Sequence, residues 1–211
     1  MRDWAAWHAA YDDPSSALTA RLERVRGHLR RAIDLAPAGP VRLVSLCAGQ
    51  GHDVLGVVPG HPRRRDVSAL LVESDERNAA AASHRAAAAG LSRVRVRQAD
   101  ASRPEQFADA LPADILLLCG IFGSVSDEDI QRTVAAAPAL CSAGATVIWT
   151  RHRREPDLTP DVRAWFGANG FDEVAFDALE TSTLTGVGVN RLRRAPAAGL
   201  PAGPLFTFRD A

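Results

Sequence analysis

The stretch 41-VRLVSLCAGQGHDV-54 decides how the rest of the chain is read. Its first half gathers Val41, Leu43, Val44 and Leu46 into a short apolar run, as expected of a strand buried inside a sheet. Its second half turns through the small residues Ala48, Gly49 and Gly51 and predicts a short helix over Asp53 to Val58. Residues with little or no side chain let main chain approach a ligand closely, and the free N–H groups at a helix start then face it. A second apolar strand, 69-ALLVESD-75, ends on Glu73 and Ser74. In a doubly wound sheet these two strands are neighbours, so Glu73 lies beside the turn and can accept both hydroxyls of a ribose.

Outward from this core, strands and helices alternate. Upstream, a helix from Ser16 to Leu35 carries Leu18, Leu22, Val25, Leu29 and Ile33 on one side. Arg21 on the same helix is in reach of a carboxylate in the site. Before it, Trp4, Trp7, His8 and Tyr11 share one helical face. That face reads either as a packing stripe or as a lid whose His8 or Tyr11 touches a substrate. Downstream, Arg63 to Arg65 read as solvated loop charge, and a helix runs from Asp75 to Ala89 with Gly90 closing it. A third strand, Val94 to Arg97, leads to Asp100 and Ala101. The most apolar strand, Ala113 to Gly120, carries Cys119 and Gly120 at its end, as befits a central parallel strand. The apolar loop Ile121-Phe122 follows, then a helix from Glu128 to Leu140 capped by Ser126. The fifth strand ends at Arg151 and His152, the histidine reading equally as a general base or a loop residue. Phe171 to Leu179 and Thr183 to Leu192 pair as the last two strands, and Leu205 to Phe208 form an alternating tail that adds an edge strand or covers a partner.

Over Val41 to Leu192 these features resemble class I S-adenosylmethionine-dependent methyltransferases, and within them small methyltransferases typical of actinobacteria. The motif of that superfamily opens with an acid and carries alternate glycines; here its four positions read Ser45, Cys47, Gly49 and Gly51. The resemblance implies an α/β, Rossmann-like, doubly wound seven-stranded sheet with an antiparallel last strand and an N-terminal helical arm or lid. It divides a single-domain protein into an arm, 1–36, and a cofactor-binding body, 37–211. It implies S-adenosylmethionine as cofactor, released as S-adenosylhomocysteine, held by Ser45, Cys47, Ala48, Gly49, Gln50, Gly51, Asp53, Glu73, Ser74, Asp100, Ala101, Cys119 and Gly120. Asp53 replaces the acid missing at Ser45 as partner of the cofactor's ammonium, and Asp100 accepts from the adenine amino group, unless it merely caps a turn. Trp7, Arg21, Ile121, Phe122 and Arg151 are the expected substrate contacts, and His8, Tyr11 and His152 the expected catalytic groups.

Composition narrows the function. The chain has 211 residues, 46% apolar and 24% charged, as in an ordinary globular domain. Its formal net charge is zero, so no whole-molecule field attracts nucleic acid or a membrane surface. All its basic residues are arginine, which excludes a lysine base or Schiff base. Three cysteines, an odd number, suit a reducing cytoplasm as buried thiols near the cofactor, and no metal site is expected. With no signal peptide or apolar span in view, the expectation is a cytoplasmic monomer or homodimer that O- or N-methylates a small molecule. The alternatives are an S-adenosylmethionine-binding protein that does not methylate, and a nicotinamide dehydrogenase, which the paired last strands and Asp100 suit less well.

Overall fold

The computed structural model describes residues 16–180, 184–193 and 199–209. Helix α1 (Ala17–Leu35) is capped by Ser16, whose hydroxyl accepts the Thr19 N–H. Strand β1 (Val41–Leu46) is followed by β2 (Val67–Glu73), α2 (Glu76–Ala88), β3 (Val94–Gln98) and β4 (Ala113–Leu118). Then come α3 (Asp127–Leu140), β5 (Cys141–His152), α4 (Thr159–Ala168), β6 (Phe171–Leu179) and β7 (Thr185–Leu192). The seven strands lie in the order β3-β2-β1-β4-β5-β7-β6, with β7 antiparallel to both neighbours and every other pairing parallel. This is the Rossmann-like sheet expected from the sequence.

Alternation along β1 assigns the two faces. Val41 and Leu43 pack with Leu29 and Ile33 of α1 and Ala82 and Ala86 of α2. Val44 and Leu46 point the other way, toward Ile130 and Val134 of α3 and Phe166 of α4. Strand order reverses between β1 and β4, so the two connections leave their C-terminal ends in opposite directions and open a crevice there. On the α3–α4 face Trp149 is fully buried, stacks on Phe166 at 5.9 Å, and donates its indole N–H to the Asn190 side-chain oxygen at 2.8 Å. Its ladder partner is Gly188, where a Cβ would come within 2.1 Å of the indole. The ring needs the space that glycine leaves.

Two sequence expectations are corrected. No α-helix spans Asp53 to Val58; residues 52–57 run through turns into a 3₁₀ turn at Val58–Gly60. The Asp53 carboxylate accepts its neighbour's Val54 N–H at 2.7 Å, and Gly56, Pro59 and Gly60 give the segment little helical preference. Arg26 of α1 pins the turn instead, donating from Nε and a terminal nitrogen to the His52 carbonyl at 3.0 and 2.7 Å. Arg63 is also no solvated loop charge. Its guanidinium bonds the carbonyls of Ile33, Ala36, Pro37 and Gly39, capping α1 where helix carbonyls lack partners.

The tail forms no edge strand of the sheet. Phe208 makes one antiparallel bridge to Val125. The Leu205 N–H bonds the Ser102 carbonyl at 2.7 Å, and the Thr207 N–H bonds the Asp129 carboxylate at 2.8 Å. The Thr133 hydroxyl donates to the Leu205 carbonyl at 3.0 Å. Residues 205–209 thus strap α3 to the loop after β3.

Candidate active site

A cavity of about 420 Å³ opens at the C-terminal ends of β1, β2, β4 and β5, with α1 along one side. Its first rim is built largely from main chain. Cys47, Gly49 and Gly51 all have positive φ (53°, 55° and 71°), so the chain after β1 curls sharply. At Gly51 a Cβ would also stand 2.7 Å from the Leu71 side chain, so the turn tolerates nothing larger. Glu73, 8% exposed at the tip of β2, accepts the Gly49 N–H at 2.7 Å and the Asp75 N–H at 2.9 Å. One carboxylate thereby holds the glycine turn and the start of α2 in register. Each of its oxygens retains an acceptor site for a ligand hydroxyl. Ala48, Ser74 and Asn78 complete this rim.

The cavity also carries Cys47, Cys119 and Asp53 on its wall, with Arg21 and Leu22 of α1 above. The cysteines are free thiols. Burial raises both, reinforced by the Glu73 and Asp100 carboxylates at Cys47 and by Asp53 at Cys119. They are uncharged sulfurs that line the wall. Burial likewise raises Asp53 above the usual carboxylate range, against its bond from Val54 and the fields of Arg26 and Arg21.

The second rim, at the end of β5, is built from side chains. The Gly120 N–H donates to the Thr150 hydroxyl at 2.9 Å, tying β4 to β5 at the cavity edge. Arg151 is 7% exposed; one terminal nitrogen bonds the Phe122 carbonyl, the other lies 3.6 Å from Asp127, and its Nε has no hydrogen-bond partner. The Nδ1 of His152 is buried and also without a partner. Burial, with Arg151 and Arg154 nearby, lowers His152 below the ordinary imidazole range, so it is neutral at physiological pH. Arg154, Gly123, Thr185 and Phe208 close this end.

The expected site residues divide accordingly. Cys47, Ala48, Gly49, Asp53, Glu73, Ser74, Cys119, Gly120, Arg21, Arg151 and His152 are brought together around one cavity. Ser45, Gln50, Gly51, Asp100, Ala101, Ile121 and Phe122 are not on its wall. Ser45 sits buried within the β1 ladder, and Gln50 donates to the Asn78 side chain. Asp100 accepts the Ser102 N–H at 2.9 Å and pairs with Arg103, the turn-capping alternative weighed above. Ala101, Ile121 and Phe122 are buried in the core, because the loop after β4 folds its apolar residues beneath α3 rather than toward the opening. Trp7, His8 and Tyr11 lie outside the described residues. Sequence reasoning missed His52, which stands inside the glycine-turn stretch, and Asn78, Thr150, Arg154, Thr185 and Phe208, which stand in no motif. Among the described residues no group of three or more His, Cys, Asp or Glu is placed to hold a metal, and no helix is long and apolar enough to cross a membrane.

This layout of sheet, turn and acid has known counterparts. Residues 18–166 match the family described as "Putative methyltransferase". The chain belongs to that family. Its members use S-adenosylmethionine. Among solved structures, the fold is similar to magnesium protoporphyrin IX methyltransferase from Synechocystis PCC 6803 with bound S-adenosylmethionine. The TM-score is 0.68 at 11% identity, over 88% of this chain and 89% of that one. An O-methyltransferase family protein from Burkholderia thailandensis gives 0.61 at 13% identity, over 81% and 57%. Precorrin-6y C5,15-methyltransferase from Geobacter metallireducens GS-15 gives 0.59 at 11%, over 81% and 88%. At such identities the likeness is one of fold. No curated protein sequence matches significantly.

The first rim of this family member fits an adenosine. A buried carboxylate faces the space beside bare main chain at Gly49, and Gly120 opposite has nothing within 4 Å of where a Cβ would stand.

Proposed function

We propose that the protein is an S-adenosylmethionine-dependent methyltransferase that O- or N-methylates a small molecule. Bound in the cavity, the cofactor supplies a methyl group on a sulfonium, open to in-line attack. Glu73 holds the ribose hydroxyls on its spare lone pairs while its other bonds fix the glycine turn. Asp53 faces the ammonium of the methionine moiety, and Arg21 its carboxylate. The neutral imidazole of His152 would take the proton that the acceptor's hydroxyl or amino group gives up. Walls from α1, the tail and the β5 end keep water away and hold the nucleophile in line. The observation that carries this reading is the pairing, within one cavity, of a buried carboxylate at the tip of β2 with a neutral histidine at the end of β5.

Calorimetric titration with S-adenosylhomocysteine tests the binding half, and transfer of labelled methyl to a small-molecule fraction of cell extract tests the chemistry. Saturable heat together with extractable label is the expected result. Absence of saturation would overturn the reading outright, whereas saturation with no label in any fraction would favour a cofactor-binding protein that does not methylate.

A further inference from the structure

The imidazole given the proton-accepting role above rests on the loop between β4 and α3. Gly123 and Ser124 of that loop line the cavity, and a Cβ on Gly123 would stand 3.5 Å from the His152 ring. Arg151, one residue before the histidine, donates to the Phe122 carbonyl of the same loop. Backbone polar groups need partners wherever they stand, and this loop draws part of its supply from the far end of the chain. The Ser124 N–H closes a turn on the Ile121 carbonyl at 2.9 Å, but the Ser124 carbonyl accepts from the Arg209 N–H at 2.9 Å, and Val125 bridges to Phe208. The Arg209 guanidinium also shares the Asp127 carboxylate with Arg151, at 3.8 and 3.6 Å. Directly beside these two tail residues stands Thr207, whose N–H is held at 2.8 Å by one oxygen of Asp129. Asp129 is 7% exposed in the first turn of α3, and its other oxygen pairs with Arg132 at 2.6 Å. A bond from a backbone N–H to an ionised carboxylate is charge-assisted, which makes this the strong anchor beside residues 208 and 209.

Resting on the proposed function, we infer that Asp129 is a positioning residue for methyl transfer. By holding the tail at Thr207 it fixes loop 121–126 against His152 and so aims the imidazole at the acceptor. Asp129 is not on the cavity wall, and it acts without touching cofactor or acceptor. The competing role is local, since an acid in the first turn of a helix also favours that helix through its dipole and here pairs with Arg132. The two roles separate chemically. The local one needs the negative charge of Asp129, whereas the positioning one needs only an oxygen that accepts the Thr207 N–H.

The test uses full-length variants and two measurements, the initial rate of labelled methyl transfer to the small-molecule fraction of cell extract and the affinity for S-adenosylhomocysteine. Asp129→Ala removes the acceptor, and Thr207→Pro removes the N–H it accepts while leaving α3 untouched. Each should lower the rate about tenfold or more, as expected when a catalytic group loses its aim, with S-adenosylhomocysteine bound as in wild type. Asp129→Asn, whose amide oxygen still accepts, and Thr207→Ala, which keeps the N–H, should each retain most of the rate. The double variant Asp129→Ala/Thr207→Pro should be no slower than the slower single one, because both changes delete the same bond. A wild-type rate in Asp129→Ala or in Thr207→Pro would overturn the inference. So would an Asp129→Asn rate as low as that of Asp129→Ala, multiplied losses in the double variant, or lost S-adenosylhomocysteine binding in either single one. Absence of label transfer by the wild-type protein would instead bring down the methyltransferase reading, and this inference with it.

Discussion

The two rims of the cavity solve different problems with different materials. The β1–β2 rim is main chain held by a single carboxylate, and its shape comes from backbone angles that few residues adopt. The β5 rim is side chain, a crowd of guanidinium groups and an imidazole whose positions depend on packing and on a tail from the far end of the sequence. The first suits a ligand that stays the same across a family, since any change to it also deforms the fold. The second is replaceable residue by residue, which suits a ligand that varies. On the proposed function, cofactor recognition falls to the first rim and acceptor recognition to the second, so the two are uncoupled.

The sharpest way to break that separation is His152→Gln. It should lower kcat about 10³-fold, within the range for loss of a general base, and leave S-adenosylhomocysteine affinity unchanged. Single-turnover methyl transfer beside calorimetry reads both. Because His152 lies below the ordinary imidazole range, the wild-type rate should be level at about pH 7 and above. It should fall only as acid protonates the ring, at a pH lower than an exposed histidine would give. Next in size, Glu73→Ala strands the Gly49 and Asp75 N–H groups and removes the ribose acceptor. An affinity loss of about a hundredfold for S-adenosylhomocysteine is expected, since two lost bonds at roughly 1.5 kcal/mol each correspond to that factor. The smallest change, Asp53→Asn, should cost about tenfold in the same titration. Asp53 is raised by burial, so its charge, and with it the wild-type affinity, should fade on acidification from above the usual carboxylate range. The asparagine variant should lose that pH dependence.

The same contrast explains what the sequence disclosed. The glycine turn, Glu73 and the alternating strands were legible because each depends on local rules: small residues for positive φ, an apolar run for a two-faced strand, an acid at a strand tip. The turn at 52–57 misled because its fold is set from elsewhere, by Arg26 reaching across from α1 to the His52 carbonyl. Ile121 and Phe122 stood at the right end of β4, yet burial beneath α3 outweighed their position. Arg154 carried no spacing signal, and the alternation of Leu205 to Phe208 did not say where the tail docks. Arg154 is a loop arginine among many, and Phe208 arrives through hydrogen bonds between the tail and Ser102, Asp129 and Ser124, separations no periodicity encodes.

The indole of Trp149 occupies the hollow above Gly188, two residues before Arg151 on the same strand. A chromophore thus sits on the strand that carries the second rim, shielded from solvent and bonded to a single amide. With Trp4, Trp7 and Trp165 replaced by phenylalanine, its emission becomes an intrinsic optical readout of the β5–β7 joint, requiring no dye and no added label.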